Sequence, residues 1–214
     1  MPTLQAQFET RCLSSLVKVF ADEELQTAAF HAASALQGEI YSFQVAYRSQ
    51  ALMPFSLTVT STLSDGICLR SVQLVPAEFP NNPNHDEGVL RDTPGLYPDL
   101  LVPVPDSGML TAIPKQWRSI WVTMEVGRDA QPGSHAVSIA FVDKAGETLA
   151  SEMFTLTVLP AVLPEQKLLH TEWFHTDSLA VYYGEEVFSE RYWEIVESYV
   201  QTAATYGCNM LLTP

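Results

Sequence analysis

Alternation of apolar and polar residues with a period of two runs through the chain as far as Leu159, and beyond Pro160 and Pro164 a helical period replaces it. A two-residue period sends successive side chains to opposite faces of a strand, whereas a three- to four-residue period gathers them on one stripe of a helix. The chain must therefore hold a β region followed by a region of mixed character. Within the first, Ile40–Arg48 sets Tyr41, Phe43, Val45 and Tyr47 against Ile40, Ser42 and Gln44. Phe55–Leu63 sets Phe55, Leu57 and Val59 against Ser56, Thr58 and Thr60. Trp117–Val126, His135–Val142 and Met153–Leu159 read as further strands, and Leu13–Phe20 as a short one near the start. Asp65-Gly66 is a tight-turn signal, so Phe55–Leu63 and Ile67–Val75 are expected to pair as a hairpin. Pro132-Gly133 and Gly146 within Asp143–Glu147 mark two more turns. Short, regularly spaced strands predict a mainly β fold, an antiparallel β-sandwich over residues 1–165. Glu23–Ser34 fits either a helix or an extended connection.

Phe79–Asp106 stands apart. It carries Pro80, Pro83, Pro94, Pro98, Pro103 and Pro105 together with Asn81, Asn82 and Asn84. Proline removes a backbone donor and fixes φ, so this stretch cannot be a helix or a central strand and reads as a long loop.

Charge narrows the partners. Eleven basic residues against 25 acidic ones leave a formal charge of −14. A nucleic-acid surface needs a basic footprint, and an anionic membrane repels such a chain. No apolar run approaches the ~20 residues of a membrane span, and the N-terminus lacks the basic and apolar segments of a secretory leader. Cys12, Cys68 and Cys208 are too scattered for a disulfide framework or a zinc knuckle and fit a reducing, cytoplasmic setting.

After Pro164, Leu168–His175 reads as a strand and Ser189–Tyr206 as a helix. Ser189 can cap the helix, Glu190 suits its positive end, and Gly207 can terminate it. Tyr192, Ile195, Val196, Tyr199, Val200 and Ala203 form its apolar stripe. Asn209–Leu212 is a short apolar strand of the kind buried in parallel sheets. Strand, helix, strand over 166–214 is one βαβ unit, which cannot cover its own sheet. The expectation is therefore an N-terminal part of a longer protein, with the remaining parallel strands downstream.

The densest polar and aromatic cluster is His170-Thr171-Glu172-Trp173-Phe174-His175-Thr176-Asp177. Alternation puts His170, Glu172 and Phe174 on one face and Thr171, Trp173 and His175 on the other. Ligands of parallel α/β folds bind at the C-terminal ends of strands, where this cluster lies. His170, Glu172, His175 and Asp177 are all metal-ligand types, but alternation splits them and no helical His spacing is present, so no metal is expected. Trp173 and His175 suit a sugar: an indole face stacks on a sugar ring, and imidazole hydrogen-bonds a hydroxyl. Glu185-Glu186 are adjacent and precede a helix, unlike a facing glycosidase pair. No phosphate loop, nucleophile elbow or Cys/His pair appears, and no cofactor is expected.

Several stretches together resemble a known family. They are W-V-x-M-x-V at 121–126, D-A-Q-P-G-S-H at 129–135, L-T-V-L-P-A-V-L-P-E at 156–165, L-L-H-T-E-W-F-H-T-D-S-L-A-V-Y-Y at 168–183, F-S-E-R-Y-W-E-I-V-E-S-Y at 188–199 and Y-G-C-N-M-L-L-T-P at 206–214. The chain resembles the N-terminal region of glycoside hydrolase family 123 proteins. The resemblance implies a β-sandwich followed by the first strand–helix–strand of a (β/α)8 catalytic barrel. It implies hydrolysis of β-linked N-acetylgalactosamine, in which the sugar's own acetamido group attacks the anomeric carbon. An Asp-Glu pair on a later barrel strand would assist; Asp22-Glu23 and Asp86-Glu87 do not match its position, so no catalytic residue carries over. Trp173, His175 and Asp177 carry over as pocket residues contacting a carbohydrate substrate. The alternative reading is a non-catalytic sandwich that binds carbohydrate or associates with protein, its own copies included.

Overall fold

The computed structural model describes residues 8–63, 66–105 and 107–213. Residues 1–7, read above for a leader, lie outside the described residues, as do Asp65 of the expected turn, Asp106 at the end of the proline-rich stretch, and Pro214. The chain divides into two compact units, Met1–Leu163 and Pro164–Pro214.

The first unit is made of β1 (Phe8–Ser14), β2 (Ala32–Gln37), β3 (Ile40–Ser49), β4 (Met53–Ser61), β5 (Ile67–Ala77), β6 (Gly95–Pro103), β7 (Met109–Ala112), β8 (Arg118–Glu125), β9 (Gly133–Val142) and β10 (Thr148–Val162). They form two five-stranded sheets, ordered β1-β3-β8-β5-β6 and β2-β10-β9-β4-β7. Neighbours are antiparallel except β2 and β10, which run parallel with Thr155 opposite Ala32. The core lies between the sheets. Phe43, Val45, Ile120, Val122 and Met124 come from one, and Phe55, Val137, Ile139, Phe141, Phe154, Leu156 and Val158 from the other. Phe43 and Phe154 stack across the gap at 4.1 Å and 9°. Phe8, Tyr47, Phe55 and Phe141 make a second ring cluster within this core.

Three local expectations for this unit are corrected. Leu13–Phe20 is not a strand. β1 lies earlier and ends at Ser14, opposite Phe43, and the Val17 amide then turns back to the Ser14 carbonyl. The following segment covers the other face of the β1-β3-β8 sheet, where Leu13, Val19, Ala46 and Trp117 form a separate apolar cluster. That cover explains why β3 is buried on both faces at its centre. Gln44 on the covered side is satisfied by donating to the Ser14 and Val17 carbonyls at 3.0 and 2.6 Å.

Nor do β4 and β5 form a hairpin. β4 pairs with β7 and β9, and β5 with β6 and β8, so the connection crosses from one sheet to the other. Gly66 (φ +92°) accepts from the Glu125 amide at 2.9 Å, and a Cβ on it would fall 2.9 Å from Glu125 Cβ. The glycine serves close approach to β8, a role that turn chemistry read from sequence does not distinguish from hairpin closure.

The proline-rich stretch is not all loop, because Gly95–Pro103 is β6. It is an edge strand with a register shift between Val72 and Leu74 of its partner, the setting in which prolines are tolerated. Its approach is clamped by Arg91, which donates to both Asp22 oxygens at 2.7 and 2.8 Å and lies over the Phe20 and Tyr97 rings. Residues 23–31 form an extended connection with no helix.

In the second unit, the expected strand shortens to β11 (Thr171–Trp173). Then come α1 (Asp177–Tyr183), α2 (Glu190–Thr205) and β12 (Met210–Leu212). β11 and β12 pair in parallel, Glu172 opposite Leu211. Ser189 caps α2, its hydroxyl accepting from the Tyr192 amide at 3.2 Å. Leu179, Ala180, Tyr192, Ile195 and Val196 pack with Phe174 as the core of this unit. Asn209 clips the strand starts together: its side chain accepts from the His170 amide and donates to the Leu168 carbonyl. β12 is not buried as expected, since Met210 and Leu212 on the face away from the helices stay more than 40% exposed.

Candidate functional site

The C-terminal end of β11 presents the predicted residues. Phe174 packs on the helices, while Trp173, at the margin of a groove shared with His170, Glu172, Tyr199 and Tyr206, stays open with His175 beside it. Their rings lie nearly parallel, 13° apart with centroids at 6.4 Å, and Trp173 is 70% exposed. A flat, open indole beside an imidazole can take one face of a sugar ring while the ring nitrogens meet its hydroxyls. The Phe174 amide donates to the Leu212 carbonyl at 2.9 Å, fixing the backbone between the two rings.

Asp177 is not brought to that pair. It opens α1, where its charge suits the positive helix end, and it lines a separate groove of about 550 Å³ with Thr176, Phe188 and Trp193. His170 and Glu172 share the helix-facing side of β11 and bond to each other at 2.7 Å, beside Tyr199 and Tyr206 of a second groove. Among the described residues no group of three or more His, Cys, Asp or Glu is placed to hold a metal ion. Tyr183 and Tyr199 hydroxyls meet at 3.1 Å, and that bond, with some desolvation, raises the Tyr199 pKa above its ordinary value.

Sequence reasoning did not single out the exposed aromatic residues of the β11–α2 connection. Phe188 is 71% and Trp193 51% exposed, and their rings stack at 5.9 Å and 29°. Phe188 immediately precedes the Ser189 cap and Trp193 is the fourth helical residue, the spacing of a hydrophobic staple. That spacing is the sequence signal that could have found them.

In the first unit, a cleft of about 730 Å³ is lined by Glu39, Glu125, Arg128, Asp129 and His135. Its imidazole is already engaged by the Thr62 hydroxyl and the Gln131 carbonyl. No helix among the described residues is long and apolar enough to cross a membrane.

Comparison with known proteins finds glycoside hydrolase family 123 by a family model and by a solved structure. The model described as the glycoside hydrolase 123 catalytic domain matches residues 173–214. A family 123 glycoside hydrolase from Clostridium perfringens, solved in work on glycolipid glycan hydrolysis, superposes with a TM-score of 0.68 over 92% of this chain at 16% identity. At that identity the likeness shows the fold, and this chain spans only 36% of that enzyme's length. The N-terminal domain of PorA (TM-score 0.34, 8% identity, 72% of this chain and 99% of that one) is too distant to carry an argument. The same holds for the sialic acid binding region of a Streptococcus sanguinis adhesin (TM-score 0.34, 17% identity, 70% of this chain and 33% of that one). No curated protein matches the chain. The C-terminal segment is thus similar to the glycoside hydrolase 123 catalytic domain, and the fold is similar to that of a family 123 glycoside hydrolase.

Proposed function

We propose that residues 164–214 form the first strand–helix–strand of a (β/α)8 catalytic barrel, and that residues 8–163 are its accessory β-sandwich. The barrel belongs to a glycoside hydrolase acting on β-linked N-acetylhexosamine sugars of the N-acetylgalactosamine type. The observation that carries this reading is the open Trp173–His175 pair at the end of the first parallel strand, inside the segment that matches the catalytic-domain model. Binding sites of such barrels gather at that end of the strands. In this reading the indole takes the apolar face of the sugar and His175 hydrogen-bonds a hydroxyl, while Asp177 faces the neighbouring groove. The attacking group is the substrate's acetamido oxygen, and the acid/base carboxylates come from strands that follow this chain.

The test is hydrolysis of chromogenic aryl β-N-acetylgalactosaminides. The 214-residue chain is expected to be inert, because both sides of the scissile bond must be served by positioned groups. The protein carrying the complete catalytic region is expected to turn over, with Trp173→Ala raising KM. An inert complete protein, or a Trp173→Ala variant with unchanged kinetics, would overturn the reading.

A further inference from the structure

We infer that the Phe188–Trp193 ring pair, with Asp177 at its rim, is a platform for a second, neutral sugar ring of the substrate glycan. The inference rests on the hydrolase reading and extends it to a part of the molecule that reading leaves unused.

The placement is fixed by topology. β11 and β12 are parallel, so α2 between them must run back against the strands, and its first turn lies at their C-terminal end. Phe188 immediately precedes the cap of that turn and Trp193 is its fourth residue, and they share one groove with Thr176 and Asp177. The rings are also held rigidly. Ser189 caps the helix, Trp193 donates its amide to the Ser189 carbonyl at 3.2 Å, and Tyr192 meets both rings edge-on at 5.1 and 6.0 Å. A hydrophobic staple accounts for the contact between the two rings. It does not account for their outer faces remaining largely open, nor for the backbone of Phe188.

Phe188 sits at φ +70°, the left-handed region that a bulky side chain rarely adopts. Such a conformation is costly and tends to persist where the side chain has a task. Glycine would fit the backbone without strain. A phenyl ring retained there, exposed and prealigned with an indole, suits a flat ligand face that needs no ordering of the site on binding. The polar partners select the ligand. Asp177 is in no ion pair among the described residues, and Glu186 and Glu190 flank the turn. Anionic ligands are repelled there, whereas a hydroxyl-rich neutral ring offers donors to the carboxylate and a C–H face to the aromatic pair. The other end of the groove, at Val196, Val200 and Leu211, is aliphatic and is not part of the platform.

Two measurements test this. The 214-residue chain is titrated with a disaccharide containing β-linked N-acetylgalactosamine, following the indole N–H resonances by heteronuclear NMR. A saturable shift at Trp193, lost in Phe188→Ala, is expected; a silent Trp193 at saturating sugar overturns the platform. In the protein with its complete catalytic region, Phe188→Gly relieves the left-handed strain while removing the ring. The expected result is a melting temperature that holds or rises while KM for an oligosaccharide rises about tenfold, the scale of one lost aromatic contact. KM for an aryl monosaccharide should move much less. A lowered melting temperature with unchanged KM would mean that the rings pack against another helix, and would overturn the inference. Loss of all hydrolysis by the parent protein would sink only the hydrolase reading, and the titration would still decide the platform.

Discussion

Trp117 offers the sharpest test of how the sandwich is held. It is 2% exposed and packs with Leu13, Val19 and Ala46 beneath the segment that follows β1. The Arg48 guanidinium lies 4.7 Å from its ring centroid. Its Nε1 is buried without a hydrogen-bond partner among the described residues. Replacing it with alanine removes on the order of 250 Å² of aromatic burial, about 6 kcal/mol at ~25 cal/mol per Å². A compact unfolded chain lowers that by roughly 10–40%. Loss of the cation–π contact adds about 0.5–1 kcal/mol, and removing the unpartnered N–H returns about 1–3 kcal/mol. The net spans about 1–6 kcal/mol and centres near 3–4 kcal/mol, at the lower end of the usual range for such truncations.

Trp117→Phe separates these contributions. It gives up roughly 50 Å², about 1.2 kcal/mol, but also deletes the unpartnered donor, so the change should stay within about 1 kcal/mol. Urea denaturation followed by circular dichroism measures both variants, and the melting temperature should fall by roughly 6–20 °C for alanine and hardly at all for phenylalanine. A phenylalanine variant as unstable as the alanine one would show that the indole N–H is satisfied. An alanine variant losing less than about 1 kcal/mol would show that residues 15–25 do not seal that face of the sheet.

Ser189→Ala should cost about 1 kcal/mol through loss of the α2 cap, seen as faster hydrogen exchange across residues 190–205. Burial pushes the Cys12 thiol and the Tyr47 phenol each up to about 12; both are neutral when protonated, so their contribution is intact below their unfolded values and is lost as pH climbs from about 9 toward 12. Melts across that range should show the decline, with a shallower slope in Cys12→Ala, and native Cys12 should resist alkylation at neutral pH. Trypsin should cut at Lys167, in the irregular stretch that opens the second unit, and leave the sandwich resistant; a first cut within β3 or β8 would contradict the division.

Legibility followed the range of the interactions involved. The alternation of Ile40–Arg48 and Trp117–Val126 located β3 and β8 because one face of each meets the inter-sheet core. The Ser189 cap and the apolar stripe located α2, since caps and stripes are local. Partner choice was not local: nothing in Phe55–Leu63 or Ile67–Val75 says that each is claimed by a strand some fifty or more residues away. β6 was hidden because edge pairing tolerates the prolines that exclude a central strand. At the site, the Trp173 and His175 rings lie nearly parallel, whereas Asp177, grouped with them through the family resemblance, lines another groove. A single helical step into α1 was enough to turn that carboxylate into another groove.

The parallel pairing of β2 with β10 has a consequence for how the chain is made. Among the described residues β2 has no neighbour in its sheet except β10, and Ala32 waits for Thr155. At ribosomal rates of roughly 5–20 residues per second, about 6–25 seconds separate the emergence of the two. Through that interval an early strand leaves the ribosome unpaired, while β1 and β3 can already zip together. Closure of the sandwich therefore falls late in synthesis, when the residues bearing Trp173 are about to follow. A pause or rare codon placed between β9 and β10 would lengthen the exposure of β2 to chaperones and to other nascent chains, without altering any contact in the finished molecule.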